Sequence, residues 1–165
     1  MIKIIATLLT LFAFNVSHAK VNVGIILGFT GPIETLTPGM SAGAELAFNE
    51  AADSGKLLNG QGINIIKVDS TCVDSAAATT AAEDLISQGV TAIMGADCSG
   101  VTGAVLSNVA VPNGVPMISP SATSPGLTTA ADNGLFFRTA PSDARGGEVL
   151  ADITLSRGIS SVAIT

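Results

Sequence analysis

The residues best suited to chemistry in this 165-residue chain lie in Met94-Gly95-Ala96-Asp97-Cys98-Ser99-Gly100. This is a small polar stretch between an apolar run and a segment whose pattern predicts a helix. A strand that ends in glycine and short polar residues and turns directly into a helix leaves backbone N–H groups without partners, a ready place to hold an anion. Two other stretches resemble it in composition. Phe29 to Pro38 follows the first apolar run, and Ser119-Pro120-Ser121-Ala122-Thr123-Ser124-Pro125 follows a later one, hydroxyl-rich and kept out of helix by its prolines. Together the three loops offer hydroxyls, amides and carbonyls, with Glu34 and Asp97 as their only acids. Such a set suits the capture of a small polar or zwitterionic solute and catalyses little.

An enzyme reading would need Ser99 or Ser119 as an activated nucleophile with a base beside it. The single histidine, His18, falls in a leader, and Lys56 and Lys67 lie before or within a predicted strand. A secreted Ser-His hydrolase is therefore the weakest of the readings, and no catalytic residue is assigned. Asp69 is expected to be a strand-end turn residue and Asp97 a partner for nearby amides. The Gly28-Phe29-Thr30-Gly31-Pro32 loop does not match G-x-G-x-x-G, and Pro32 lacks the N–H that a phosphate cradle would use.

The leader is residues 1–19. Lys3 gives a basic start, Ile4 to Val16 is mostly apolar, and Ser17-His18-Ala19 fits a small-x-small cleavage site, which together predict a secretory signal peptide. The run falls short of the ~20 apolar residues that a membrane span needs, so an anchor is the weaker alternative. After cleavage, six basic residues face thirteen acidic ones, a net charge of −7. Nothing basic remains to grip nucleic acid or an anionic membrane. In an oxidising compartment the only two cysteines, Cys72 and Cys98, predict a disulfide, worth on the order of 3 kcal/mol through the unfolded state. A zinc site would need about four ligands, and without histidine only carboxylates could complete it.

The elements that must position these loops alternate. Val21 to Leu27 predicts a strand buried on both faces. A helix follows from Pro38 to about Ala52, with Met40, Ala44, Ala47, Phe48 and Ala51 on its apolar face. Ile63 to Val68 is the second strand, and Asp74 can cap a helix running to about Ser87 with Ala77, Ala81, Leu85 and Ile86 inward. Val90 to Met94 is the third strand. The next helix carries Val101, Ala104, Val105 and Val109 and is expected to close at Pro112 and Gly114. Val115 to Ile118 is a short fourth strand and Leu135 to Arg138 an edge strand or bridge. Ser142 or Asp143 can cap a helix that carries Val149, Leu150, Ile153 and Arg157, though Gly146-Gly147 weakens its first turn, and Ser161 to Ile164 begins another strand. This order predicts an α/β fold, a doubly wound parallel sheet with helices on both faces. Ligands in such sheets bind at the carboxyl ends of the strands, where the three loops lie. A sheet ending on an uncovered strand predicts a chain that is incomplete.

These residues resemble the periplasmic branched-chain amino-acid binding proteins, the type I solute receptors of ABC importers. Val21 to Pro32 looks like their first strand and Gly-Pro loop, and Asp69-Ser70-Thr71-Cys72 with Gly95-Ala96-Asp97-Cys98-Ser99 is similar to their disulfide-bonded loops. Ile118 to Pro125 resembles their proline-flanked hydroxyl loop, and Phe136-Phe137-Arg138-Thr139 the segment before their next helix. The resemblance implies a flavodoxin-like lobe over residues 20–165, the first of two lobes, in a periplasmic monomer that needs no cofactor or metal and delivers an amino acid to a membrane permease. It implies that Ser99 and Gly100 hold the ligand carboxylate and that Ser121, Ala122 and Thr123 meet its ammonium. Leu36 stands where amino-acid receptors often carry an aromatic side chain. A sensory ligand-binding domain of the same fold is the alternative.

Overall fold

Strand β1, Val21–Leu27, lies inside the sheet because it is apolar on both faces, and Ile25, Ile26 and Leu27 are fully buried. In the computed structural model, which describes residues 20–56 and 60–163, β1 pairs in parallel with β2, Ile63–Asp69, on one side. On the other side it pairs with β3, Ala92–Gly95. Strands β4, Met117–Ser119, and β5, Phe136–Arg138, extend the sheet to the order β2-β1-β3-β4-β5, every pairing parallel. The chain steps one way from β1 to β2 and then crosses over β1 to reach β3. That reversal makes the carboxyl ends of β1 and β3 the place where a crevice opens.

Three helices make the crossovers. Helix α1 spans Thr37–Asp53 and α2 spans Ser75–Ser87. Helix α3 runs from Ser99–Val105 through a π-helical stretch, Leu106–Ala110, to Val111–Asn113. Asp74 caps α2 as expected, its carboxylate accepting the amides of Ala76 at 2.9 Å and Ala77 at 3.0 Å. Helices α2 and α3 cover one face of the sheet, where Ala78, Ala82, Leu85, Val101, Val105 and Val109 pack with Ile26, Ile93 and Met117. Each such aliphatic side chain contributes about 1.5–3 kcal/mol when fully buried. Small residues set the spacing: a Cβ on Gly24 would lie 2.7 Å from Leu85 Cδ1. On the opposite face α1 lies over β1 and β2, with Met40, Ala44, Phe48 and Ala51 half-buried and Ala47 exposed. Beyond it Ile118 and Phe137, neighbours in the β4–β5 register, stay 42% and 56% exposed.

Three expectations need correction. Pro112 does not close α3. The π stretch bonds the Val111 amide to the Leu106 carbonyl, so the N–H that Pro112 lacks falls on the side of exposed Ser107 and Asn108. Gly114 ends the helix as expected, in a left-handed conformation at φ 65°. The loop after β4 stays out of helix through Ser124, as expected, and Pro125 then starts a 3₁₀ turn, Pro125–Thr128, where its fixed φ is an advantage. Helix α4, Asp143–Ser156, has the predicted length and is capped by Ser142, whose hydroxyl accepts the Ala144 amide. Yet none of its residues is buried, because it leaves the sheet beyond the edge strand β5. Finally, residues 161–163 form no strand and are exposed; the expected partner edge is occupied by none of them. Ile164 and the predicted signal peptide at residues 1–19 lie outside the described residues.

Candidate functional site

Gly95 turns the chain at the end of β3 with φ +125°, a conformation closed to other residues, and a Cβ there would run into the Ile26 carbonyl. The turn delivers Asp97 to a buried position, 2% exposed, between three loops. Its carboxylate accepts the Gly28 amide at 2.6 Å, the Ser70 hydroxyl at 3.2 Å and the Cys98 amide at 2.9 Å. An ionised side chain is tolerated there because donors surround it. Asp97 is thus a partner for amides, as its loop composition predicts. The neighbouring Cys98 is joined to Cys72 at a sequence separation of 26, so the predicted disulfide ties the loop after β2 to the start of α3.

Asp69 ends β2 as a turn residue. It accepts the Thr30 hydroxyl and amide and the Thr71 amide at 2.8 Å. Burial opposes its ionisation, but the Thr30 hydroxyl and the amides of Thr71, Thr30 and Phe29 outweigh that and hold the carboxyl below the usual aspartate value. The loop after β1 is thereby pinned to the loop after β2.

Ser119, fully buried, joins the loops after β3 and β4. Its hydroxyl donates to the Ala96 carbonyl and accepts the amides of Ala122 at 3.0 Å and Ser121 at 3.4 Å. Ser121 adds a second link, its hydroxyl donating to the Asp97 carbonyl at 3.0 Å. Ser99 makes a third, accepting the Ser124 amide at 3.1 Å. Of the expected site residues, Ser99, Gly100, Ser121, Ala122 and Thr123 therefore come together at the carboxyl ends of β3 and β4. The Leu36 side chain takes no part in this hydrogen-bond network and is 59% exposed at the start of α1.

The first amides of α3 have no partner within the helix, and the first to bond back is Thr102, to the Cys98 carbonyl at 2.9 Å. The Ser99 and Gly100 amides stand beside the Ser99 hydroxyl, a donor group for an anion. On the neighbouring loop the polarity differs. Thr123 donates its hydroxyl to Asp143 at 2.9 Å, and the Thr123 carbonyl accepts the Asp143 amide at 3.0 Å. Arg138 braces this loop from β5, donating to the carbonyls of Ala122 at 3.1 Å and Ser124 at 2.9 Å and to the Thr128 hydroxyl. The sequence singles out Asp143 only as a helix cap and Arg138 only as part of a motif; their partners are 10 to 20 residues away.

Among the described residues no group of three or more His, Cys, Asp or Glu could hold a metal ion. No helix among them is long and apolar enough to cross a membrane.

Similarity to known proteins bears on this arrangement. The sequence family described as "Periplasmic binding protein" matches residues 20–165. The Leu/Ile/Val-binding protein BraC3 of Rhizobium johnstonii is 30% identical over 151 residues, covering 91% of this chain and 40% of that protein. Among solved structures, the branched-chain amino acid transporter substrate binding protein LivJ from Streptococcus pneumoniae, in complex with isoleucine, is similar. It superposes with a TM-score of 0.67 at 30% identity, over 76% of this chain and 35% of that one. An ABC transporter solute binding protein from R. palustris, in complex with benzoate, gives 0.70 at 27% identity, over 85% of this chain and 38% of that one. The chain spans about two fifths of the length of the curated relatives it matches.

Proposed function

The chain belongs to the periplasmic binding protein family, and from that premise we propose that it is the first-lobe part of the solute-binding component of an ABC importer, taking up a free branched-chain amino acid. One observation carries the reading. The Ser124 amide bonds the Ser99 hydroxyl oxygen, so the loop that carries Thr123 and its Asp143 partner is joined to the start of α3, where the Ser99 hydroxyl and the opening amides lie. The start of α3 suits a carboxylate and the Thr123 loop an ammonium. Ser99 and Gly100 then hold the carboxylate, Ser121, Ala122 and Thr123 meet the ammonium, and Leu36 faces the aliphatic side chain. A second lobe closes over the ligand, excludes water and presents the filled protein to a membrane permease. Similar solved proteins hold isoleucine in one case and benzoate in another, so the amine separates the two solute classes.

The test is calorimetry on the two-lobed protein with leucine, isoleucine and valine. A charge-assisted hydrogen bond contributes about 1.5–3 kcal/mol, so Ser99→Ala or Thr123→Ala weakens binding by roughly ten- to a hundredfold. Thr102→Ala, one turn into α3, is the control. If both loop variants bind as tightly as the parent, the site is misassigned; if the parent binds no amino acid, the solute class is wrong. Export follows from the leader, and N-terminal sequencing of the exported protein is expected to begin at Lys20. A sequence beginning at Met1 overturns the cleavage site.

A further inference from the structure

Hydrogen-bond direction at Ser99 and Thr123 is fixed by their partners. An amide N–H can only donate, so the Ser124 amide, 3.1 Å away, takes a lone pair of the Ser99 oxygen and leaves the Ser99 hydrogen to be given to something else. An ionised carboxylate can only accept, so the Thr123 hydroxyl spends its hydrogen on Asp143 at 2.9 Å and turns lone pairs toward any other neighbour. Asp143 is held for this by a second bond, its amide donating to the Thr123 carbonyl at 3.0 Å. Two hydroxyls on joined loops are thus set with opposite polarity, one to donate and one to accept.

Charge reinforces the difference. Arg138 places its guanidinium on the same loop through the carbonyls of Ala122 and Ser124. Without Asp143 that loop would carry a net positive charge, and both ends of the site would favour an anion. Asp143 reverses the sign at Thr123.

Resting on the reading above that Ser99 and Thr123 contact the solute, we propose that Asp143 is the positioning residue that makes this site select an amino acid over the same carboxylic acid without its amine. It acts through Thr123, by fixing that hydroxyl as an acceptor, and through its own charge, by offsetting Arg138.

The experiment compares, on the two-lobed protein, whichever of leucine, isoleucine and valine binds tightest with its deaminated counterpart: 4-methylpentanoate, 3-methylpentanoate or 3-methylbutanoate. The variants are Asp143→Asn, which keeps the shape and removes the charge, and Thr123→Val, which keeps the shape and removes the hydroxyl. Melting curves establish that each is folded, and calorimetry and NMR titration give the two Kd values. Asp143→Asn is expected to weaken amino-acid binding ten- to a hundredfold while the deaminated acid binds as before or more tightly, so the selectivity ratio collapses. Thr123→Val moves the ratio the same way. A merely structural role would weaken both ligands together, and equal losses in Asp143→Asn overturn the proposal while the site stands. A parent that binds no amino acid overturns both; loop variants Ser99→Ala and Thr123→Ala that bind like the parent overturn the site, and the proposal with it.

Discussion

The Asp97 carboxylate and the Gly28 amide meet at 2.6 Å beneath the surface, 69 residues apart in sequence, and this bond joins the ends of β1 and β3 on either side of the sheet's reversal. The approach is close on all sides, since a Cβ on Gly28 would lie 3.2 Å from Cys72 Cβ and 3.3 Å from the Asp97 oxygen. Asp97→Asn is nearly the same size but must set an amide donor against either the Gly28 or the Cys98 N–H. Leaving a buried donor unpaired costs about 1–3 kcal/mol, so urea unfolding of Asp97→Asn is expected to show a loss in that range. A variant as stable as the parent would mean that the carboxylate is replaceable there.

The disulfide is expected to stabilise chiefly through the unfolded chain. Its loop of 26 residues corresponds to about 3 kcal/mol in the chain-entropy account. In a domain of this size that is a fall in Tm of roughly 10 °C for the paired variant Cys72→Ser with Cys98→Ser. Scanning calorimetry of the variant and of the parent, both without reductant, makes the comparison; coincident melting would falsify the entropic role.

Asp69 links stability to pH. Its carboxyl in the folded protein lies below the reference value of 3.8, so its contribution is full above that reference value and is lost as pH falls through the lower folded value. Because the residue is only partly buried and solvent screens it, the contribution is under about 1 kcal/mol. Urea titrations of the parent and Asp69→Asn between pH 7 and pH 3 are expected to show a gap that narrows below about pH 4. A gap that stays constant to pH 3 contradicts the linkage.

Much of the fold is legible in the chain because its determinants are local. The unbroken Val21–Leu27 run announces a strand buried on both faces, and Asp74 ahead of an alanine-rich stretch announces a cap. The joining of the loops after β3 and β4 is legible too, since alternation of strand and helix forces their carboxyl ends together. Three features are not. Pro112 is a breaker by type, and only the π turn ahead of it moves its missing N–H to solvent. Val149, Leu150 and Ile153 mark an apolar stripe on α4, but a stripe does not say whether the surface it fits lies within the same sheet, and here all three stay at the surface, with Leu150 66% exposed. Asp143 reads as a helix cap, and its pairing with Thr123 across 20 residues depends on where the edge strand ends. Residue type names a hydroxyl as donor and acceptor alike; only its neighbour decides which.

The position of β1 between β2 and β3 has a consequence in time. A strand flanked on both sides, with Ile25, Ile26 and Leu27 sealed from water, releases its amide protons only when the whole sheet opens. Hydrogen exchange in Ile25 to Leu27 therefore reports global unfolding, whereas β5 at the margin exchanges by local fraying. The candidate pocket spans that gradient. Gly28 and Asp97 lie at the ends of β1 and β3 in the middle of the sheet, while Thr123 and Asp143 are tied through Arg138 to the edge strand β5, so local fraying at that edge reaches the loop after β4 before it reaches the Asp97 bonds.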